Sequence, residues 1–288
     1  VSAARIGMAV AAARAVAAAH GLATEPHLLQ DGINVVLHLR PAPVVARVLT
    51  LTRELRPDAE RHAAREVALA GALAAAGAAV VPPSAVLPPG PHRHQGVVLS
   101  FWTHVEVLPE APGPAEVAAA LADLHGVLGA MPVGGRPLAT PLDDLASFLR
   151  RGAGWGVPER QLAAVAGHLE RLLPRLAGPA QVLHGDAHPG NLLATPGGWC
   201  WTDLEDTCSG PREWDLACLR ATSRLDGRAA LDALGAPDDA ELAPWLELRR
   251  LHAAAWTRVA ALGHPALRSA ADARLAEVSG EPAPPGRG

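Results

Sequence analysis

The residues best suited to chemistry lie in one short run, Val182-Leu183-His184-Gly185-Asp186-Ala187-His188-Pro189-Gly190-Asn191-Leu192-Leu193, followed by Trp201-Thr202-Asp203-Leu204-Glu205-Asp206. An apolar segment delivers Asp186 to a polar stretch, and Asn191 stands five residues on, just before a second apolar segment. A turn at Thr195-Pro196-Gly197-Gly198 then returns the chain to Asp203. Two carboxylates and an amide oxygen are hard donors. A set with so few protein groups suits Mg2+, which completes its shell with water and phosphate oxygens. Phosphoryl transfer needs a metal to neutralise phosphate charge and a separate carboxylate to orient a hydroxyl and accept its proton. Any one of these residues also fits a turn whose Asp and Asn cap local backbone groups; the combined order argues for chemistry. Glu205 and Asp206 fit a second metal or a structural role equally well.

A different enzyme class uses the same segment. His184, Asp186 and His188 alternate, so a continuous strand would present them on one face as a zinc or iron site for hydrolysis. Gly185 and Pro189-Gly190 argue for a loop instead, and no further histidine cluster completes such a site.

The elements that must position these groups follow from the rest of the chain. Its 288 residues are 49% hydrophobic and 19% charged, a composition of globular proteins with a substantial core. Lys and Tyr are absent, and Asn occurs only at Asn34 and Asn191; a GC-rich genome accounts for this bias. The absence of Lys excludes a Walker A loop. A formal charge of -4 gives no electrostatic reason to expect a nucleic-acid partner. No run of about 20 apolar residues escapes charge or Pro/Gly, so no membrane span is expected. Arg5 and the run Met8–Ala19 faintly resemble a signal peptide, but Arg14 interrupts the run and an amphipathic helix over 2–20 is the better reading. Cys200, Cys208 and Cys218 lack CxxC spacing and read as reduced thiols of a cytoplasmic protein, monomeric or homodimeric.

The β-branched runs 33–39 and 43–50 predict a hairpin, 58–77 a helix between Pro57-Asp58 and Gly77, and 96–102 a buried strand. Pro82, Pro83, Pro88, Pro89 and Pro91 cut the chain into short pieces between them. Residues 114–130, 141–151, 158–176, 212–222 and 238–278 read as mostly helical, and the Pro/Gly-rich tail from Gly280 is expected to fray. The organisation is α+β: a strand-rich part over 1–102 and a larger helical part over 103–288 carrying a small hairpin.

HGDxHPGN at 184–191, followed by D-x-E-D at 203–206 and Trp214-Asp215-Leu216-Ala217, resembles the aminoglycoside phosphotransferase/choline kinase family of protein-kinase-like phosphotransferases. The resemblance implies a bilobal protein-kinase-like fold with a small antiparallel-sheet N-lobe and a larger helical C-lobe. It implies Asp186 as catalytic base, Asn191 and Asp203 as Mg2+ ligands, and ATP or GTP as phosphate donor to a hydroxyl of a small-molecule acceptor. His184 would support the loop, and Asp215 would brace it by accepting backbone hydrogen bonds. Leu124-His125 matches a pair on a C-lobe helix.

The family's strand cation, which contacts the α/β-phosphates and pairs with a helix Glu, matches Arg47 by position. Glu66 is its expected partner, because it shares a helix face with Leu69, Ala70 and Leu73 and an inward carboxylate wants a cation. The phosphate-covering loop falls near Gln30–Asn34, where Asn34 fits either a phosphate contact or a turn-stabilising bond. Backbone groups of Leu99, Phe101 and Trp102 are expected at the nucleotide base, with the Trp102 ring packed on it or in the hinge. The missing Lys and single loop glycine leave a nucleotide-binding pseudokinase as the non-enzyme alternative. The acceptor's identity is open: acids and arginines nearly balance over 211–288 and endorse no polycationic antibiotic. Trp245 and Trp256 fit a pocket wall or the core.

Overall fold

The computed structural model describes residues 2–281, which leaves most of the Pro/Gly-rich tail outside the described residues. Two compact units divide the chain, Val1–Glu106 with Val259–Pro265 and Val107–Arg258 with Ala266–Gly288.

The first unit runs α1 (Ser2–Ala19), β1 (Glu25–Asp31), β2 (Val35–Arg40), β3 (Val44–Leu49), a single turn α2 (Thr52–Leu55), α3 (Ala59–Ala75), β4 (His92–His94) and β5 (Val97–Thr103). Its strands form one antiparallel sheet in the order β1-β2-β3-β5-β4. The period of two sends Val35, Leu37, Leu39, Val44, Ala46, Val48, Val97, Leu99 and Phe101 to one face, where Ala9, Ala12, Ala13, Val16 and Ala17 of α1 cover them. Each large aliphatic side chain buried there contributes about 1.5–3 kcal/mol. α1 is long and apolar enough to cross a membrane by length and composition alone, yet its small-residue face is spent on the sheet. Its Arg5 is buried and donates to the Asp31 carboxylate, to the Gly32 carbonyl at 2.7 Å and to Thr50 Oγ1 at 3.1 Å.

On the opposite sheet face, Leu49 and Val98 pack with Ala59 and Ala63 of α3. That helix starts where the Asp58 side chain accepts the Arg61 amide at 3.3 Å and ends before Gly77 at φ +83°. β1, with no alternating pattern and mostly exposed side chains, escapes the sequence reading.

The second unit holds α4 (Pro114–Leu128), α5 (Ala139–Arg151), α6 (Glu159–Leu172), β6 (Gln181–Leu183), β7 (Leu192–Thr195), β8 (Gly198–Trp201), β9 (Cys208–Gly210), α7 (Glu213–Arg220), α8 (Gly227–Ala233), all but the last turn of α9 (Ala243–Gly263), and α10 (Arg268–Ser279). The helical span expected over 238–278 is therefore two helices, parted by a 3-10 turn at Pro265–Leu267. β7 and β8 make the expected hairpin, and β6 pairs antiparallel with β9. Of the expected tail, Glu281 is tied down: it accepts from Arg160 Nε at 2.5 Å and Gln161 Nε2 at 2.9 Å.

Candidate active site

β6 ends in a turn that Asp215 holds from below. The Asp215 carboxylate is fully buried and accepts the backbone N–H of His184 at 2.9 Å, the N–H of Gly185 at 2.8 Å and His125 Nε2 at 2.8 Å. Burial alone would raise its pKa; the His125 bond and charge, the His184 charge and the Gly185 amide outweigh burial and lower it. Trp214 Nε1 donates to the Gly185 carbonyl at 2.9 Å from the same helix, α7. Gly185 stands at φ +89°, and a Cβ there would lie 2.0 Å from the Asp206 carbonyl oxygen, so only glycine fits. The turn is thereby wedged against the 3-10 turn Leu204–Asp206 that follows Asp203.

His184 is fully buried, with Nε2 3.1 Å from the Thr202 carbonyl and Nδ1 accepting the Asp186 amide at 3.3 Å. These two contacts fix the orientation of the ring. Both ring nitrogens are thus committed. Among the described residues, no group of three or more His, Cys, Asp and Glu side chains is set to hold a metal. The His184/Asp186/His188 hydrolase site is absent for that reason: the segment turns instead of extending.

Asp186 emerges half-buried from this turn. Its Oδ1 accepts from Arg249 of α9 at 2.6 Å, and its Oδ2 lies 3.4 Å from His188 Nε2 and 3.4 Å from Asn191 Nδ2. Burial alone would raise its pKa, but the Arg249 charge, the His188 bond and charge and the His184 charge hold it well below the ordinary carboxylate range. His188 is oriented by the Gly190 amide, which donates to Nδ1 at 2.9 Å. Asn191 Nδ2 also donates to the Asp186 carbonyl at 3.0 Å, which aims the amide and leaves Oδ1 without a hydrogen bond among the described residues. The Thr202 amide donates to the Asn191 carbonyl at 2.9 Å. Asp203 follows directly, in the left-handed region at φ 63°, a conformation that costs a non-glycine residue about 1–3 kcal/mol and clusters at functional sites. The hairpin thus brings Asp186, Asn191 and Asp203 to one end of the second unit. An amide oxygen and a carboxylate are hard donors of the kind that suits a Mg2+–phosphate group.

In the first unit, Arg47 of β3 and Glu66 of α3 form a direct, buried ion pair. Asn34 is buried, and its Oδ1 accepts from Thr52 Oγ1 at 2.9 Å and the Thr50 amide at 3.3 Å. These bonds describe the loop-bracing role of the two expected for it.

The expectation at Leu99, Phe101 and Trp102 is corrected. They lie inside β5, paired with Val48, Ala46 and Val45, and the Leu99 and Phe101 side chains are fully buried. The Phe101 amide donates to the Pro89 carbonyl at 2.8 Å, and its carbonyl accepts the Ser84 amide at 3.0 Å. Trp102 bridges Pro83, and its Nε1 donates to Ser100 Oγ at 2.9 Å. Sheet partners thus use the backbone groups a nucleotide base would need.

Arg249 is the residue beside Asp186 that sequence reasoning missed, and His188 entered that reasoning only as a ligand of the alternative metal site. Arg249 was detectable: its spacing from Trp245, His252 and Ala253 puts it on an inward helix face, where a cation needs a carboxylate. Both side chains line a cavity of about 370 Å3 between the end of α7, α9 and α10. Cys218 also lines it, and burial pushes its thiol well above the ordinary value. Trp245 belongs to the core, and Trp256 donates to the buried Asp144 at 3.1 Å; neither borders this cavity.

A sequence model of the phosphotransferase enzyme family matches residues 34–262, well over half of the chain. No curated protein matches the sequence. Among solved structures, a choline/ethanolamine kinase family protein from Mesorhizobium loti is 21% identical at a TM-score of 0.57, covering 96% of this chain and 94% of its own. An aminoglycoside phosphotransferase from Streptomyces rimosus, in complex with ADP and streptomycin, is 18% identical at 0.61 and covers 84% and 98%. A GDP and kanamycin complex of another aminoglycoside phosphotransferase, APH(2'')-IIIa, is 16% identical at 0.64 and covers 92% and 97%. The fold shared with them is the protein-kinase-like one: an antiparallel-sheet N-terminal region and a helical C-terminal part.

Proposed function

Since this chain belongs to the phosphotransferase enzyme family, we propose that it transfers the γ-phosphate of ATP or GTP to a hydroxyl group of a small molecule. The supporting observation is the loop itself: Asp186 and Asn191 are hydrogen-bonded to each other, and the Thr202 amide, one residue before Asp203, donates to the Asn191 carbonyl.

In this reading Asp186 orients the acceptor hydroxyl and takes its proton. The hydroxyl oxygen forms a bond to the γ-phosphorus, and the bridging P–O bond breaks with its electron pair remaining on the diphosphate. Asn191 Oδ1 and the Asp203 carboxylate would hold Mg2+, which when bound would neutralise charge on the phosphate oxygens. Arg47, held by Glu66, supplies the fork for the α/β-phosphates that a lysine provides elsewhere. Asp215, His184 and Gly185 position the loop without touching substrate.

Arg249 keeps Asp186 ionised and weakens it as a base. That suits a loose transition state, in which the proton leaves late and positioning matters more than basicity. Asn34 braces its loop.

Asp186→Asn tests the reading. It is expected to retain MgATP or MgGTP binding by calorimetry and to lose both slow nucleotide hydrolysis and transfer by at least a hundredfold. Turnover at the wild-type rate would remove Asp186 as base. Nucleotide binding with no turnover in the wild type, across a broad acceptor panel, would instead make the chain a pseudokinase.

A further inference from the structure

Four arginines, Arg224, Arg249, Arg250 and Arg274, line the cavity of about 370 Å3 beside Asp186, against one acid, Glu277. The whole chain carries 29 acidic and 25 basic residues, so this lining departs from the molecule's own balance. Arg249 touches both the cavity and the Asp186 carboxylate, and His188 does the same from the loop. Among the described residues, Arg224, Arg250 and Arg274 have no carboxylate partner; the Arg274 guanidinium reaches Thr257 Oγ1 at 3.1 Å. Guanidinium forks facing a concave space without anions to answer them are the recognition elements of carboxylate and phosphate groups. The volume suits a small metabolite.

We propose that this cavity is the acceptor site and that it selects an acceptor carrying a carboxylate or phosphate near its reacting hydroxyl. The inference rests on the kinase reading and deepens it. The anionic group sits against Arg250 and Arg274, while Arg249 spans from the anion to the base, so that the hydroxyl passes His188 to reach Asp186. A polycationic acceptor would bring its amines against the same guanidinium groups, where like charges repel.

The test uses the full chain and a matched set of probes: D-glycerate, glycerol 3-phosphate, neutral glycerol and cationic kanamycin. Binding is measured by calorimetry at low salt, and transfer is followed as phosphate mass gain with MgATP or MgGTP. D-glycerate or glycerol 3-phosphate is expected to bind at least tenfold more tightly than glycerol or kanamycin, and the stronger of the two identifies which anion the site prefers. The double variant Arg250→Gln, Arg274→Gln, changed at two exposed positions, is expected to melt near the wild-type temperature and to lose that preference by about tenfold or more.

Kanamycin binding as tight as the anions would overturn the proposal. So would an unchanged anion preference in the double variant, or a loss of nucleotide affinity there with anion binding intact, which would make the cavity a nucleotide-phosphate site. The kinase reading fails separately: arginine-dependent anion binding with no nucleotide turnover in any arm would leave the anion site standing and remove the transfer reaction.

Discussion

Replacing Asp215 by Asn removes one charge and changes almost no volume, which isolates what the carboxylate does for the catalytic loop. Three donors converge on it: the His184 amide at 2.9 Å, the Gly185 amide at 2.8 Å and His125 Nε2 at 2.8 Å. An asparagine offers one acceptor oxygen and turns an NH2 group toward the remaining donor. The variant therefore loses a charge-assisted bond, about 1.5–3 kcal/mol, and orphans a buried N–H, about 1–3 kcal/mol more. A destabilisation of about 3–5 kcal/mol at pH 7 is expected by urea unfolding followed through tryptophan fluorescence. Trp201 and Trp214 both flank the loop as reporters.

The pH dependence has a definite sign. The folded-state pKa of Asp215 lies below its unfolded value, so its contribution is complete above the unfolded value of about 3.9 and is lost as pH falls through the folded pKa. Wild type and variant should therefore differ fully near neutrality and converge in acid. A gap under about 1 kcal/mol at pH 7, or one that widens on acidification, would refute the bracing role.

Asp203→Ala is expected to weaken nucleotide binding in Mg2+ more than in EDTA, because it removes a metal ligand; equal affinities in both buffers would contradict that assignment. Glu66→Gln leaves Arg47 buried without its anion, so a loss of about 3–5 kcal/mol in stability and a raised nucleotide KM are expected, to be read from unfolding curves and steady-state kinetics. Gly185→Ala meets the Asp206 carbonyl at 2.0 Å and should fail to fold or melt at least 10 °C lower by differential scanning calorimetry, whereas Gly197→Ala, in the exposed hairpin turn, should melt like the wild type.

The sequence shows best what is local along the chain. The turn that links Asp186 to Asn191 and the hairpin that follows it are legible because both are local. Arg47 and Glu66 lie farther apart, yet each sits on an inward face whose period can be read, and an inward charge calls for its complement. The base-binding expectation at Leu99–Trp102 failed on strand register. The proline-rich segment 82–91 reads as a series of breaks, but proline keeps its carbonyl, and Pro82 and Pro89 accept amides from Thr103 and Phe101. The proline segment thereby occupies the edge of β5 that the sequence reading left open. β1 and the pairing of β6 with β9 escaped because short or exposed strands carry no alternation to read.

The buried ion pair in the first unit is built from arginine in a chain that has no lysine at all. A guanidinium stays protonated far into alkali and resists the acylating, carbamylating and sulfonylating reagents that consume amines. Affinity labels that find nucleotide sites by trapping a strand ammonium have no target here. If activity declines at high pH, the responsible group is some other residue.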